Sequence, residues 1–492
     1  METNTLTEII TRRYEEIREL RAEGTDPFPP RFEVTHTAAE ALETAEESGV
    51  ICAGRLVQLR VMGKAAFAHV QDMSGRVQLY IARDILGEAP YGFFKKHIHV
   101  GDFIGVAGSV FKTKTGEKTI KAEKLTLLSK AVRPMPEKWH GLQDTEIRFR
   151  SRHLDLIAND DVRRIFEARS KIVRAVRNTL DNEGFLEVET PILCHSAGGA
   201  AATPFETFHN ALSMPLFMRI ATELYLKRLI IGGMERVYEI GKIFRNEGID
   251  TTHNPEFTML EAYQAYTDYN GMARLFEAII EACTKSLGIT EVEYKGRQIR
   301  LVPPFRRVFL PQLWKQHCGE DIHDILDGKR FNRPRLLALA KKLGVGDADT
   351  LASAKAFERI FDEKILSTFT EPCFVMDHPT AITPLAKNKP GDETLVERFE
   401  FYAGGAELAN AYTELNDPDD QLARLQEQAR QRQDEKNAEV DTIDKDFVEA
   451  MESGMPPTGG IGIGIDRLTM LLTGKAAIRE VVLFPTLKAD MK

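Results

Sequence analysis

The sequence predicts an α+β chain of more than one domain, with a small N-terminal β-barrel followed by a larger domain built on a mostly antiparallel sheet flanked by helices. Three observations carry this prediction. At 492 residues the chain is longer than one hydrophobic core organises. Its apolar residues switch between helical and strand-like spacing along the chain. An aperiodic stretch with two prolines, "AVRPMPEKWHGLQD", separates a strand-rich first part from a mixed second part.

Composition narrows the class. Hydrophobic residues make up 43% and charged residues 28%, as in chains that bury a globular core. The N-terminus carries charge throughout, and no stretch approaches 18 uncharged apolar residues, so no membrane segment and a cytoplasmic location are expected. Cys52, Cys194, Cys283, Cys318 and Cys373 lie far apart with no CxxC pair, which argues for reduced thiols over a disulfide framework or structural zinc. A net charge of −9 speaks weakly against a protein that coats nucleic acid, and leaves a local basic patch open.

Residues 1–48 are expected to be a helical extension. Leu6, Ile9, Ile10, Tyr14, Ile17 and Leu20 recur at helical spacing until Gly24 and "DPFPP". From Val50 the period becomes that of strands, with a hairpin turn around Asp72–Gly75 and a helical interval at about 88–98 before the last two strands. Five strands so interrupted predict an OB-type Greek-key barrel over 49–132. Its open face carries Arg60, Phe67, His69 and Gln78, and the adjacent hairpin supplies Lys112, Lys114, Lys118, Lys121 and Lys124. Aromatic faces with lysines suit a single-stranded nucleic acid, although a solvated lysine edge and a core phenylalanine fit the same residues.

A linker is expected over 133–155 and the second domain over 156–492, with a helical insertion at about 270–380. The domain opens with an amphipathic helix on which Val162, Ile165, Phe166, Ile172, Val173, Val176 and Leu180 form one stripe, ended by Gly184. The extended "FLEVETPIL" follows. Pro191 within it removes a ladder donor, so that strand lies at an edge or stops there. Residues 237–264 and 396–415 alternate like strands, and "GGIGIGIDRLTMLLTG" reads as a glycine-rich strand turning into a helix.

The chemistry concentrates in this second part. There is no GxxxxGK[ST] and no HExxH, and Gly460, Gly462 and Gly464 lack dinucleotide-binding spacing. A nucleotide would have to be held by side chains on a sheet. "FRNEGIDTTHNPEFTMLEAY" offers them, with Arg245 and Glu247 sharing one strand face, and Phe257, Met259, Glu261 and Tyr263 sharing one face of the next. Arginine grips phosphate in a two-pronged contact, phenylalanine covers a base, and His253 lies in the loop between the strands. Arg467 follows the glycine run. Glu400 and Glu407 flank a turn at Gly404–Gly405, which makes them diagonal neighbours that repel unless a cation such as Mg²⁺ joins them. Asn410, Tyr412 and Glu414 share a face opposite to that of Glu407 on a regular strand, so a common pocket requires a bulge near 408 or 409. Singly, each residue has a plainer reading. Glu223 and Lys227 fit an i,i+4 helix pair, Arg245 and Glu247 a surface ion pair, Glu407 and Glu414 solvated strand positions, and the glycines mere packing.

Together these segments resemble the class II lysyl-tRNA synthetases along nearly the whole chain. "SKIVRAVRNTLDNEGFLEVETPIL" is similar to that class's motif 1, "FRNEGIDTTHNPEFTMLEAY" to motif 2 and "GIGIGIDRLTMLL" to motif 3, while "ATELYLKR" with "ELANAYTELND" resembles the lysine branch. The resemblance implies a class II synthetase catalytic domain behind an anticodon-binding OB domain. It also implies ATP-dependent activation of L-lysine and transfer to the terminal ribose of tRNA(Lys). Arg245 and Arg467 would then be catalytic and bind ATP with Glu247, His253, Phe257 and Glu400. Glu400 and Glu407 would hold Mg²⁺. Glu223, Glu261, Tyr263, Asn410, Tyr412 and Glu414 would bind lysine, with backbone of "SAGGAA" closing over it. Arg60, Phe67 and Gln78 would read the anticodon, and motif 1 would form a homodimer. Thr222 stands where many relatives are expected to carry proline, a difference expected to affect the helix start and not the chemistry. The competing expectations are an aspartyl or asparaginyl enzyme of the same subclass, a paralogue that lysylates a protein, and an RNA-binding regulator.

Overall fold

A computed structural model describes residues 2–135, 142–196, 198–200, 202–347, 350–434 and 443–488. Residues 136–141 of the expected linker lie outside the described residues, as do Ala197 and Ala201 of "SAGGAA". The chain divides into two compact units, 1–143 and 144–492.

The first unit opens with helix α1 (Glu2–Ala22). The barrel follows as β1 (Gly49–Met62), β2 (Ala65–Gln71), β3 (Arg76–Ala82), helix α2 (Glu88–His97), β4 (Phe103–Lys112) and β5 (Lys118–Ser129). The strands close in the order β1-β2-β3-β5-β4, with β4 returning to β1. Alternation makes the core, since Ala66, Ala68, Val70, Val77, Leu79 and Ile81 all point inward and are buried. The turn between β2 and β3 is held by Asp72, whose Oδ1 accepts from the backbone N–H groups of Ser74 at 2.7 Å and Gly75 at 3.0 Å. Strand β4 is bulged against β5 at Ala107–Gly108, and closure depends on the missing side chain there. A Cβ on Gly108 would lie 1.9 Å from the Lys121 carbonyl oxygen.

In the second unit helix α3 (Asp160–Asn182) buries Val162, Ile165, Ile172, Val176 and Leu180 along one stripe. It leads to β6 (Leu186–Glu187), a two-residue strand at the sheet edge. Helix α4 (Glu223–Ile231) precedes the hairpin of β7 (Arg236–Phe244) and β8 (Glu256–Ala265), and helix α5 (Tyr269–Leu287) follows. The sheet is completed by β9 (Arg306–Phe309), β10 (Cys373–Pro379), β11 (Asp392–Ala403), β12 (Ala406–Thr413) and β13 (Thr458–Gly464), which runs into helix α6 (Ile465–Leu472). Strand order is β9-β10-β11-β12-β13-β8-β7-β6. Neighbours are antiparallel except at the two ends, where β9 runs parallel to β10 and β6 to β7. Helices α3 and α5 cover one face, with Ile172, Leu180, Phe276 and Ile280 packed on Tyr238, Leu260, Ala262, Ala411 and Ile461. The helices Leu310–Cys318, Arg333–Lys342 and Ser353–Lys364 build a second core around Trp314, stacked on Phe357 at 4.8 Å. The uncovered face of the large sheet is left for the site.

Asp466, in the segment that resembles motif 3, ties the segment that resembles motif 2 to helix α3. Its Oδ1 lies 2.6 Å from Arg169 of α3, and its Oδ2 accepts from the Thr258 N–H of β8 at 2.7 Å. Because a Cβ at position 108 has only backbone to push against, Gly108→Ala is expected to cost about 1–3 kcal/mol or more through overpacking. A thermal scan of the full chain should show a lowered first transition, and an unchanged midpoint would contradict the role of the bulge.

Candidate active site and nucleic-acid face

Strand register assembles the site. Across the open face of the sheet, Arg398, Tyr412, Gly460 and Tyr263 form one transverse row, and Glu400, Asn410, Gly462, Glu261 and Glu239 form the next. The intervening row, Phe399, Ala411, Ile461, Ala262 and Tyr238, belongs to the core on the other side. Glycine in the middle of both site rows makes a floor without side chains. A Cβ on Gly460 would fall 2.0 Å from Glu414 Oε1 and 2.5 Å from Tyr263 Cε1.

Glu407 joins the same face through a bulge. The register shifts between Phe401 and Tyr402, so Ala409 pairs with Phe401 while Glu407 pairs with Tyr402, leaving Leu408 as the extra residue. That is the irregularity needed to bring Glu400, Glu407, Asn410 and Tyr412 to one side. The turn before it uses Gly404 at φ 59° and Gly405 at φ 75°, the left-handed pair a two-residue hairpin favours.

Helix α4 supplies one wall of a carboxylate pocket. Glu223 and Lys227, one turn apart, face the sheet, with Lys227 Nζ 2.6 Å from Glu223 Oε1 and 2.5 Å from Glu414 Oε2. Tyr412 donates its hydroxyl to Glu223 Oε2 at 3.1 Å, and Tyr263 donates to Glu261 Oε2 at 3.1 Å. Glu223, Glu261, Glu414, Tyr263 and Lys227 are all buried. Glu414 Oε1 has no hydrogen-bond donor among the described residues. Burial, with the nearby charge of Glu223, pushes the Glu261 carboxyl up to about 7. Glu414 is pushed upward by the same two causes against the pull of Lys227. Burial opposes the charge on Lys227, but Glu223 and Glu414 outweigh it and hold that ammonium above the ordinary lysine range.

The helix pair Glu223–Lys227 therefore exists as the plainer reading has it, yet it is buried in the pocket wall and not solvated. Thr222 also does more than start the helix. Its backbone N–H donates to Glu261 Oε1 at 3.2 Å, a bond that proline has no hydrogen to make, so the expectation that this position leaves the chemistry untouched is corrected.

Beside this pocket lies a cationic rim. The Arg245 guanidinium stands 5.2 Å from the centre of the Phe257 ring and donates weakly to the Ile220 carbonyl at 3.4 Å. Burial lowers its pKa, opposed in turn by Glu247, Glu261 and Glu407, with Arg467 adding repulsion. Arg467 donates to the Glu407 carbonyl at 3.1 Å and lies 3.1 Å from His253 Nε2. His253 Nδ1 is 2.8 Å from Asp250 Oδ2, so an imidazole protonated at Nδ1 accepts from Arg467 at its other nitrogen. Glu247 is exposed, and the strand ends at Phe244. The shared face expected for Arg245 and Glu247 rests on alternation carried past the end of the strand, and it does not hold as strand geometry.

Glu400 accepts from Arg398 Nη2 at Oε1 and from the Tyr402 hydroxyl at Oε2, 2.5 Å away. Burial works against its charge, but Arg398, His378 and the Tyr402 hydroxyl together outweigh it and leave Glu400 lowered. Burial and the Glu400 charge push Glu407 the other way, up to about 7. No cluster of three His, Cys, Asp or Glu side chains suited to a metal occurs among the described residues. A cation here would depend on this pair together with oxygen ligands from a bound molecule. The contact of Lys227 with Glu414 and the places of Arg398 and Gly460 escape a sequence reading, because a lysine in a helix, an arginine in "ERFE" and one glycine of a run carry no signal of distant neighbours until register sets them side by side.

On the barrel, Arg60, Phe67 and Tyr80 form one row and Gln58, His69 and Gln78 the next. They line a groove of about 680 Å³ together with Phe111 and Lys114. Phe67 and Tyr80 stand 5.2 Å apart, and Tyr80 and Phe111 5.9 Å. Gln78 is oriented by neighbours, donating to Glu117 at 2.8 Å and accepting from Thr119 at 2.8 Å. Of the five hairpin lysines only Lys114 reaches the groove. Lys112 and Lys121 pair with Glu46 and Glu47, and Lys118 donates to the Thr44 carbonyl.

Comparison with known proteins agrees with this arrangement. Residues 144–488 match the family model described as tRNA synthetases class II (D, K and N), and 50–128 match the OB-fold nucleic acid binding domain. The lysine–tRNA ligase of Pelotomaculum thermopropionicum is 49% identical over 488 residues, covering 98% of this chain and 95% of that protein. The lysine–tRNA ligase of Enterococcus faecalis is 49% identical, covering 97% and 96%, and that of Lysinibacillus sphaericus 50% identical, covering 94% of each. With a family model spanning the second unit and full-length relatives near half identity, the chain belongs to the class II tRNA synthetases, in the lysyl-tRNA synthetase family.

Proposed function

We propose that the chain activates L-lysine with ATP to lysyl-adenylate and pyrophosphate, then passes the lysyl group to the terminal ribose of tRNA(Lys). The observation that carries the choice of amino acid is the buried set Glu223, Glu261 and Glu414, against which Lys227 is the one ammonium held by the pocket among the described residues. Three carboxyls facing one resident ammonium leave acid groups that burial keeps from ionising fully until a further cation enters. A substrate with two ammonium groups supplies that cation, whereas an aspartate side chain would add a further carboxyl.

In this reading Glu223, Glu261, Tyr263, Asn410, Tyr412 and Glu414 bind lysine and point its carboxylate at the arginine rim. Arg245 draws charge from the α-phosphate, Phe257 and Glu247 take the adenine, and His253 and Arg467 meet the outer phosphates. Attack of one bound carboxylate on phosphorus needs no protein nucleophile. Alignment and neutralisation of spreading charge are the protein's contribution. Glu400 and Glu407 would hold Mg²⁺, whose preference for carboxylate, phosphate and water oxygens suits a site with two protein carboxylates, and when bound it offsets phosphate charge. The barrel groove takes unstacked anticodon bases on Phe67, with Arg60 and Gln78 at their edges.

We further infer a homodimer through the motif 1 region, where Leu186, Ile192 and Leu193 remain exposed. No described helix is long and apolar enough to cross a membrane. Five unpaired buried thiols suit the reducing cytoplasm.

The decisive experiment is exchange of radiolabelled pyrophosphate into ATP with lysine, aspartate or asparagine as the amino acid, followed by charging of tRNA transcripts. Lysine alone should support exchange and tRNA(Lys) alone should be charged. Exchange with aspartate instead would overturn the assignment.

The raised Glu261 and Glu414 carboxyls set a pH dependence. An ammonium binds the ionised carboxylate, and the substrate side chain stays charged to about pH 10. Lysine affinity should therefore rise with pH from 6 through 8, and binding near pH 7 should release protons. Titration calorimetry in buffers of different ionisation enthalpy reads that release, and identical heats in all buffers would contradict it. On the barrel, Phe67→Ala should weaken tRNA charging by roughly 1–3 kcal/mol of lost stacking while lysine-dependent exchange continues unchanged. An equal loss in both assays would count against a stacking role.

A further inference from the structure

The guanidinium of Arg398 touches two of the subsites just described. Its side chain keeps only 11% of its accessible surface. One arm, Nη2, is held by Glu400, and Nη1 donates to Thr383 Oγ1 at 2.7 Å. With the fork clamped at both ends, Nε points along the sheet to Asn410 Oδ1, 3.1 Å away.

That contact fixes more than a distance. A guanidinium has five donors and no acceptor, so Asn410 has to present its oxygen to Arg398. The amide nitrogen is then turned away from Arg398, and among the described residues it makes no hydrogen bond. Gly462, the residue paired with Asn410 across the sheet, has no side chain to meet it. Lysine carries two ammonium groups, which only donate, and a carboxylate, which is its one acceptor. An NH2 group fixed toward the substrate can therefore read only the carboxylate, the group that becomes the nucleophile.

We propose that Arg398 is a positioning residue that locks the Asn410 amide with its NH2 toward the bound amino acid, so that the pocket grips the substrate carboxylate. Without the lock, the amide can turn its oxygen inward, where it repels that carboxylate. The same guanidinium is clamped by Glu400, so the orientation of the amino-acid site is tied to the nucleotide side of the face. The inference rests on the lysine reading given above.

The test measures lysine binding to the full chain by titration calorimetry without nucleotide. Arg398→Lys keeps the charge and loses the fork, and should weaken lysine at least tenfold. In an Asn410→Ala background the same substitution should change affinity less than twofold, because there is no amide left to orient. A tenfold loss in both backgrounds would mark a merely structural arginine and overturn the proposal, as would unchanged affinity in the single variant. Asn410→Asp keeps Arg398 intact and directs an oxygen inward, and should bind lysine more weakly than Asn410→Ala. Equal or tighter binding overturns the lock even if Arg398→Lys fails to fold. Absence of lysine binding by the unsubstituted chain would instead defeat the functional reading itself.

Discussion

An excess of carboxyl groups over ammonium groups, buried on one face of a sheet, is the constraint from which the rest of the catalytic unit follows. Glu223 comes from α4, Glu261 from β8 and Glu414 from the end of β12, and Lys227 is the ammonium set against two of them. Carboxylates in an apolar site ionise only when partners compensate them. Four neighbours accordingly donate to them: the hydroxyls of Tyr263 and Tyr412, the Thr222 N–H and the Lys227 ammonium. The glycine floor of β13 is the steric half of the same design. A side chain at Gly460 would stand where Glu414 Oε1 now lies open.

Much of this was legible in the sequence, because a strand's period of two states which residues share a face. Glu261 and Tyr263 fall together on β8, opposite Leu260 and Ala262, which enter the core. The place of Glu407 was legible only as a condition. Parity puts it on the wrong side of Asn410, and the unpaired Leu408 resolves the conflict without any signal in composition. The face shared by Arg245 and Glu247 misled, since alternation has no meaning once a strand has ended at Phe244. The role of Arg398 and the second partner of Lys227 were out of reach for a different reason. Their roles depend on partners 12 to 187 positions away, Asn410 for one and Glu414 for the other, and local pattern does not encode such pairings.

The barrel shows the limits of reading charge without geometry. Lysines in "FKTKTGEKTIKAEK" suggest a phosphate track, yet most are spent on Glu46, Glu47 and the Thr44 carbonyl of the same unit. What remains at the groove is a set of aromatic faces, Phe67, Tyr80 and Phe111, flanked by Arg60, Gln58 and Gln78. Such a surface selects by stacking and by base edges more than by total charge. It is compatible with the net charge of −9 that argued weakly against nucleic acid.

The pocket's charge also sets what the folded chain sacrifices for function. Glu261 has an ordinary carboxyl value of about 4.5 and is raised to about 7 in the fold. The folded state thus binds this proton more tightly than the unfolded chain does. Its contribution to stability is complete at low pH and is lost as pH rises from about 4.5 to 7, on the order of 3 kcal/mol for this one group. A neutral amide at the same place would remove that cost, but would offer the substrate no charge. Binding an ammonium reverses the balance, since it stabilises the ionised carboxylate and with it the folded chain. The same carboxylates that weaken the empty pocket are therefore the source of its selectivity, and an amino acid without a side-chain cation has no means of recovering what their burial costs.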